Sequence, residues 1–308
     1  MKNKGKINVL LAFLLLAFAC ANAQTVDLQG KSYRVADGDV SMFDGREVKN
    51  GTLVIAEGDY LLRVGKEKGA SLIIGDNMEL VIDGNLRLAP NGFKSCDIVR
   101  VVGNKVKIHG KGSIVGDRYK HTGQEGEWGM GIRLDGSRNV TINGLTIADC
   151  WGDCIYIGGD SKNIEIANCL LRGSRRQGIS ITKADSIIVR NCRIADISGT
   201  NPQYAIDIEP NKRCTVDNVL IRNVTVTGCE GGIRAIIGKE ESGNARIGMV
   251  EIRDCRVAAK SRHTIHLAGC ERAVVEGCTI ETRKGEKPIL ARKVGHLTKK
   301  NNKVKGER

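Results

Sequence analysis

The sequence predicts an all-β protein: one domain built as a solenoid of about eight to ten stacked coils behind an N-terminal cap. Three observations carry this. The phrases NIEIANCLL, IIVRNCRI and VLIRNVTV return at a spacing of about 20–30 residues, with the short β-rich runs CIYIGG, GISIT and AIDIEP between them. The 308 residues hold 38 Gly but only 4 Pro and 4% aromatics, and Val, Ile and Leu recur in short runs with no amphipathic helical stretch. Aligning the runs sets Ile132, Ile155, Ile179, Ile206, Ile233, Ile265 and Ile289 in one column and Leu134, Ile157, Ile181, Ile208, Ala235, Leu267 and Ala291 in a second. The period does not break, so a second domain is not expected.

Taken in order, residues 1–23 read as a signal peptide. Lys2, Lys4 and Lys6 form a basic start, Val9 to Ala19 an apolar run, and Ala21-Asn22-Ala23 a cleavage signal. The apolar run is too short to span a bilayer, and no other segment could. A lipid anchor at Cys20 is disfavoured, because Ala17-Phe18-Ala19 makes a poor lipobox. The expected location is therefore secreted or periplasmic. Residues 24–70 (SYRV, GTLVIA, YLLRV) lack the repeat phrase and are expected to cap the first coil. Coils are expected over 71–292, interrupted by the polar insertion from Asp117 to Gly129. Residues 293–308 are expected to be a basic tail.

The formal charge of +13 is concentrated at the ends: the leader carries +3 and residues 283–308 carry +8, leaving the body near +2. That balance, with so few aromatics, argues against a nucleic-acid partner. Cys169, Cys192, Cys255 and Cys278 share one repeat slot, which Gly144 and Val224 are expected to fill in other copies. The pattern suits small buried thiols, and one disulfide among Cys96, Cys150, Cys154, Cys214, Cys229 and Cys270 stays open. No Cys/His spacing or dense carboxylate cluster points to a metal, and no cofactor is expected. Oligomeric state is not legible.

The residues after the inward isoleucines should form an outward column: Arg133, Tyr156, Ser180, Asp207, Arg234, His266 and Leu290. Asp207 and Glu209 lie two apart on one strand, so their Cα atoms are separated by about 6.6 Å. Carboxyl groups roughly 6.5–9.5 Å apart suit inverting glycoside hydrolysis. With Asp153 they form the expected acid/base set, and Arg234 is placed to pair with Asp207. Expected substrate-binding residues are Glu127, Trp128, Arg133, Tyr156, Arg175, Arg176, Gln177, Lys183, Tyr204, Asn211 and His266.

The NxxIxNC phrase, the GDCIYI and QGISI strands and the run KIHGKGSIVGD resemble right-handed parallel β-helix proteins of the pectate-lyase-like superfamily. Over roughly residues 70–291 the motifs are most similar to polygalacturonase-type glycoside hydrolases. The resemblance implies a right-handed parallel β-helix acting on an acidic or complex polysaccharide. It maps catalytic roles onto Asp153 and Arg234, while Gly152 and Gln177 depart from the family's Asp and His. An alternative is a lyase or uronan epimerase. There Arg175, Arg176, Lys183 and Arg234 would neutralise a uronate, and Tyr204 would be a candidate base. A third is a non-catalytic glycan binder, with Trp128, Trp151 and Tyr156 stacking on sugars. Export predicts a mature N-terminus at Gln24. Intact mass of protein recovered outside the cytoplasm checks it.

Overall fold

The computed structural model describes residues 25–36, 40–65, 69–238 and 243–306. The expected signal peptide and Cys20 lie outside them. Among the described residues the strands form three all-parallel sheets of 11, 11 and 10 strands. Each coil contributes one strand to each sheet in turn, so the chain climbs by one rung per coil. The first rung alone lacks the third strand, having a short 3-10 turn at Ser41–Phe43 in that part of the chain. No described helix is long and apolar enough to cross a membrane.

The core is the inside of this tube. Strand pairing sets Ile132, Ile155, Ile179, Ile206, Ile233, Ile265 and Ile289 side by side, as the aligned repeats predict. The second column is longer than expected. It runs from Val26 through Val48, Ile74 and Val101 to Leu134 and on to Ala291, one residue per rung through all eleven rungs.

Strand pairing runs past the coils expected over 71–292 at both ends. Residues 25–62, expected to cap the first coil, supply the first two rungs: Val26 and Val48 stack beneath Ile74 although the repeat phrase is missing there. Within the expected basic tail, His296–Lys300 and Lys303–Lys305 pair as strands of the last rung. The described residues form eleven rungs.

The Asn-Cys phrase has a local cause. Asn168, Asn191 and Asn223 adopt φ of 54°, 54° and 51°, a left-handed turn that Asn tolerates better than other non-glycine residues. Their side-chain amides form a ladder: Asn168 donates to Asn143, Asn191 to Asn168 and Asn223 to Asn191, over 2.7–3.3 Å. The strand register sets Asn143 opposite Ala167, so Gly144 (φ 80°) occupies the Asn168 turn position. The slot of Cys169 is filled in that coil by buried Leu145, not Gly144. The thiols of Cys169, Cys192 and Cys255 each donate to the carbonyl two residues earlier, at 3.1–3.2 Å. All ten described cysteines are free.

Because each core residue is held only by the rungs on either side, truncation in mid-stack leaves a void that neither neighbour can fill. Ile206→Ala should cost about 2–5 kcal/mol of stability. A urea titration would show this as a lower midpoint with an unchanged slope.

Candidate functional site

The expected outward column is real: Arg133, Tyr156, Ser180, Asp207, Arg234 and His266 are register partners on successive rungs of one sheet. Outward residues of a sheet are ordinarily wet, yet Asp207 is only 3% exposed and Asp153, in the loop feeding the same sheet, is 0% exposed. The loops that lead into each strand wall these carboxylates off from water.

Each buried carboxylate has its own arginine. Arg234 grips Asp207 with two parallel bonds, Nε to Oδ1 and Nη2 to Oδ2, both 2.6 Å, and Nη2 also reaches Glu209 Oε2 at 2.6 Å. Gln177 donates its amide to Asp207 Oδ2 and accepts the Tyr204 backbone N–H at 2.8 Å. The Tyr204 ring lies 4.9 Å from the Arg234 guanidinium, and burial raises the Tyr204 pKa. Burial opposes the Arg234 charge, but Asp207 and Glu209 outweigh it and raise its pKa. Asp153 accepts Ser180 Oγ at 2.7 Å and Arg176 Nη1 at 3.2 and 3.3 Å. Burial raises its carboxyl pKa above the ordinary aspartate range, against the pull of Arg176 and Ser180.

Beside this network a cleft of about 460 Å³ opens across five consecutive rungs. Ser95 and Trp128 line it at one end and Asp207, Glu209 and Asn211 at the other, with Arg133, Tyr156, Arg176, Ser180 and Thr182 between. The Arg133 guanidinium lies 4.8 Å from the Tyr156 ring centre, and the Tyr156 hydroxyl bonds to Thr182 Oγ1 at 2.8 Å. Arg133 Nε is buried with no hydrogen-bond partner, its nearest carboxylate oxygen, Asp135 Oδ2, being 3.8 Å away.

Of the expected residues, Trp128, Arg133, Tyr156, Arg176, Asp207, Glu209 and Asn211 meet at the cleft. Asp153, Gln177 and Arg234 stand in direct contact with its lining, Tyr204 packs on Arg234 behind them, and Glu127 pairs with Arg176 at 3.4 Å. Three do not join it. Arg175 turns back over the Trp151 ring, 3.7 Å from its centre, and donates to the Gly126 carbonyl. Lys183 pairs with Asp160 at 2.5 Å. His266 sits two rungs beyond Asp207 against His263, and burial, with the His263 and Arg234 charges, lowers its pKa to about 4. Trp151 offers no free face for a sugar, because His121 stacks on it at 3.9 Å and Arg175 lies over it as well. Among the described residues no three His, Cys, Asp or Glu are grouped to hold a metal.

Sequence reasoning passed over Asp97. It is fully buried, takes Arg100 Nε on Oδ2 at 2.7 Å, and leaves Oδ1 without a partner. Burial, partly offset by Arg100 and Arg133, raises its pKa to about 6. An aspartate inside the apolar strand CDIVRV was the available signal.

Residues 91–242 match the family model described as a right handed beta helix region. The chain is 32% identical over 188 residues to the SPbeta prophage-derived uncharacterized protein YorA of Bacillus subtilis (strain 168), covering 53% of this chain and 32% of that one. It spans about a third of the length of the curated relatives it matches. In structure it is similar to PfbA, a surface adhesin of Streptococcus pneumoniae, with a TM-score of 0.59 at 13% identity over 94% of this chain and 85% of that one. It is also similar to a hyperthermoactive exopolygalacturonase from Thermotoga maritima, with a TM-score of 0.54 at 16% identity over 83% and 74%. Such identities establish the fold and leave the reaction open.

Asp97 makes a pH prediction. Its folded pKa of about 6 lies above the ordinary value of 3.8, so the folded state binds the proton more tightly. Its contribution is complete below about pH 4 and lost as pH rises through about 6. From about pH 4 to 7 the wild type should therefore lose up to about 3 kcal/mol relative to Asp97→Asn, then run parallel to it. Unfolding midpoints across that range test this. Contributions from His266 are common to both proteins and cancel.

Proposed function

We propose that this right-handed parallel β-helix is an exported carbohydrate-active enzyme that hydrolyses glycosidic bonds in an acidic polysaccharide bound across its rungs. One observation carries the reading: Asp153, Asp207 and Glu209 converge with Arg176 and Arg234 on a face outside the core, and two of the three carboxylates are buried. Desolvating such ions costs several kcal/mol each. The fold is already held by the apolar interior, so this investment points to chemistry.

Hydrolysis needs a proton for the leaving oxygen and a base for the attacking water. Burial raises the Asp153 pKa, and Asp153 reaches the cleft through Ser180, whose hydroxyl now donates to it. Once Asp153 is protonated, it donates to Ser180 Oγ, and Ser180 gives its own proton to the leaving oxygen. Glu209, whose side chain is 30% exposed, faces the cleft and serves as the base, with Asp207 beside it and Arg234 fixing both. Arg133 and Arg176, which line the cleft, supply cations for a sugar carboxylate or sulfate. The basic, apolar leader supports export.

A second reading is glycan binding without cleavage. It is favoured by the full engagement of Asp207, which Arg234 and Gln177 occupy together. The structural likeness to a protein described as a surface adhesin supports it too.

A polysaccharide panel separates the readings. Hydrolysis yields new reducing ends without the ultraviolet absorbance of an unsaturated sugar, a lyase yields both, and a binder is retained with no product. Glu209→Gln and Asp207→Asn should each lower kcat by about 10²–10⁴-fold. Unchanged turnover in both variants would sink the acid/base set.

A further inference from the structure

The described chain exposes three large aromatic side chains. Phe93, Tyr119 and Trp128 are 48%, 74% and 47% exposed, while the other exposed large hydrophobics are aliphatic and lie on other strands and turns. All three stand on, or at the end of, two neighbouring loops that lead from the third sheet into the cleft-bearing sheet on adjacent rungs. Trp128 lines the cleft, and its register partner Ser95, which also lines it, is two residues after Phe93.

These loops are pinned. Asn91 donates its backbone and side-chain N–H groups to Asp117 Oδ2 at 3.1 and 2.9 Å, and the same oxygen meets His121 Nδ1 at 2.9 Å. The Thr122 N–H bonds to the Asn91 carbonyl at 2.9 Å, and Lys94 pairs with Glu125. Arg118 bonds to the Gly173 carbonyl and lies 5.1 Å from the Tyr119 ring centre, while Arg175 ties down Gly126. Between the rings the sequence is polar: NGFKS in one loop and DRYKHTGQEGEW in the other.

We propose that Phe93 and Tyr119 continue the cleft as an aromatic platform on which further pyranose units of a polysaccharide stack. The proposal rests on the reading of the cleft as a glycan site. Isolated flat rings among polar groups match a sugar chain, which alternates apolar C–H faces with hydroxyls. A protein interface would want a contiguous apolar centre instead. Loops pinned in advance lose little entropy when a chain settles on them. The platform makes affinity depend on chain length, since only a polymer reaches both the cleft and the rings.

The test is affinity electrophoresis in gels cast with polygalacturonate, alginate, hyaluronate or dextran. The double variant Phe93→Ala/Tyr119→Ala is compared with wild type and with Glu209→Gln. Both substituted side chains are exposed, so the unfolding midpoint should stay within about 2 °C of wild type. Retardation of the wild type, weakened at least about tenfold in the double variant, supports the platform. Equal mobility of the two in every gel, whether both are retarded or neither, overturns it. Failure of the hydrolase reading looks different: retardation that depends on Phe93 and Tyr119, with no product formed and no effect of Glu209→Gln.

Discussion

Every rung buries its apolar face only against the rung before it and the rung after it. A single coil three short strands long has no inside of its own, so the stability of this protein resides in the contact between identical positions of successive coils. The column from Val26 to Ala291 is the physical expression of that constraint. It fixes the register of all three sheets, because slipping one coil by one residue would turn its isoleucines out to water. It also frees the outside of the tube: residues such as Ser180, Asp207 and Arg234 can change without touching the core.

The outer face uses that freedom in a costly way. Asp153 and Asp207 are withdrawn from water and tied to arginines on neighbouring rungs or loops. The same stacking that aligns isoleucines inside aligns Ser180, Asp207 and Arg234 outside, so one geometry builds both core and site. What shapes the cleft is the loops. Arg175, predicted for sugar binding, is spent on holding the loop at Gly126 and covering Trp151. Trp151 in turn packs beneath His121 and gives the insertion a fixed floor. Loops tied to one another and to the tube leave aromatic rings exposed and set Arg133 and Arg176 in the lining of the cleft.

Much of this was legible in the residues. The inward columns, the outward order Arg133, Tyr156, Ser180, Asp207, Arg234, His266, and the pairing of Arg234 with Asp207 all follow from strand alternation and an unbroken repeat. The placement of Gly144 slipped by one because its coil replaces the left-handed Asn with Gly and the buried Cys with Leu145, and the local register decides between them. The first two rungs are not visible in the repeat, because Val26 and Val48 stack without the Asn-Cys phrase, which lies between the second and third sheets and not in the first sheet's columns. The partners of Lys183 and Arg175, which are Asp160 and the Gly126 carbonyl, are not legible, because the sequence shows a charge and not what it meets.

The sequence by itself determined the fold, since period-two alternation returning every roughly 20–30 residues lets each coil bury its isoleucines only by stacking on the next. It also determined which strand faces carry carboxylates and arginines. The tertiary structure alone decided how deeply Asp97, Asp153 and Asp207 are buried, which arginine each carboxylate holds, and which aromatic rings stay in the open. The reason is physical. Strand alternation is a property of consecutive residues, whereas desolvation and pairing depend on loops from different rungs that meet only once the coils are stacked.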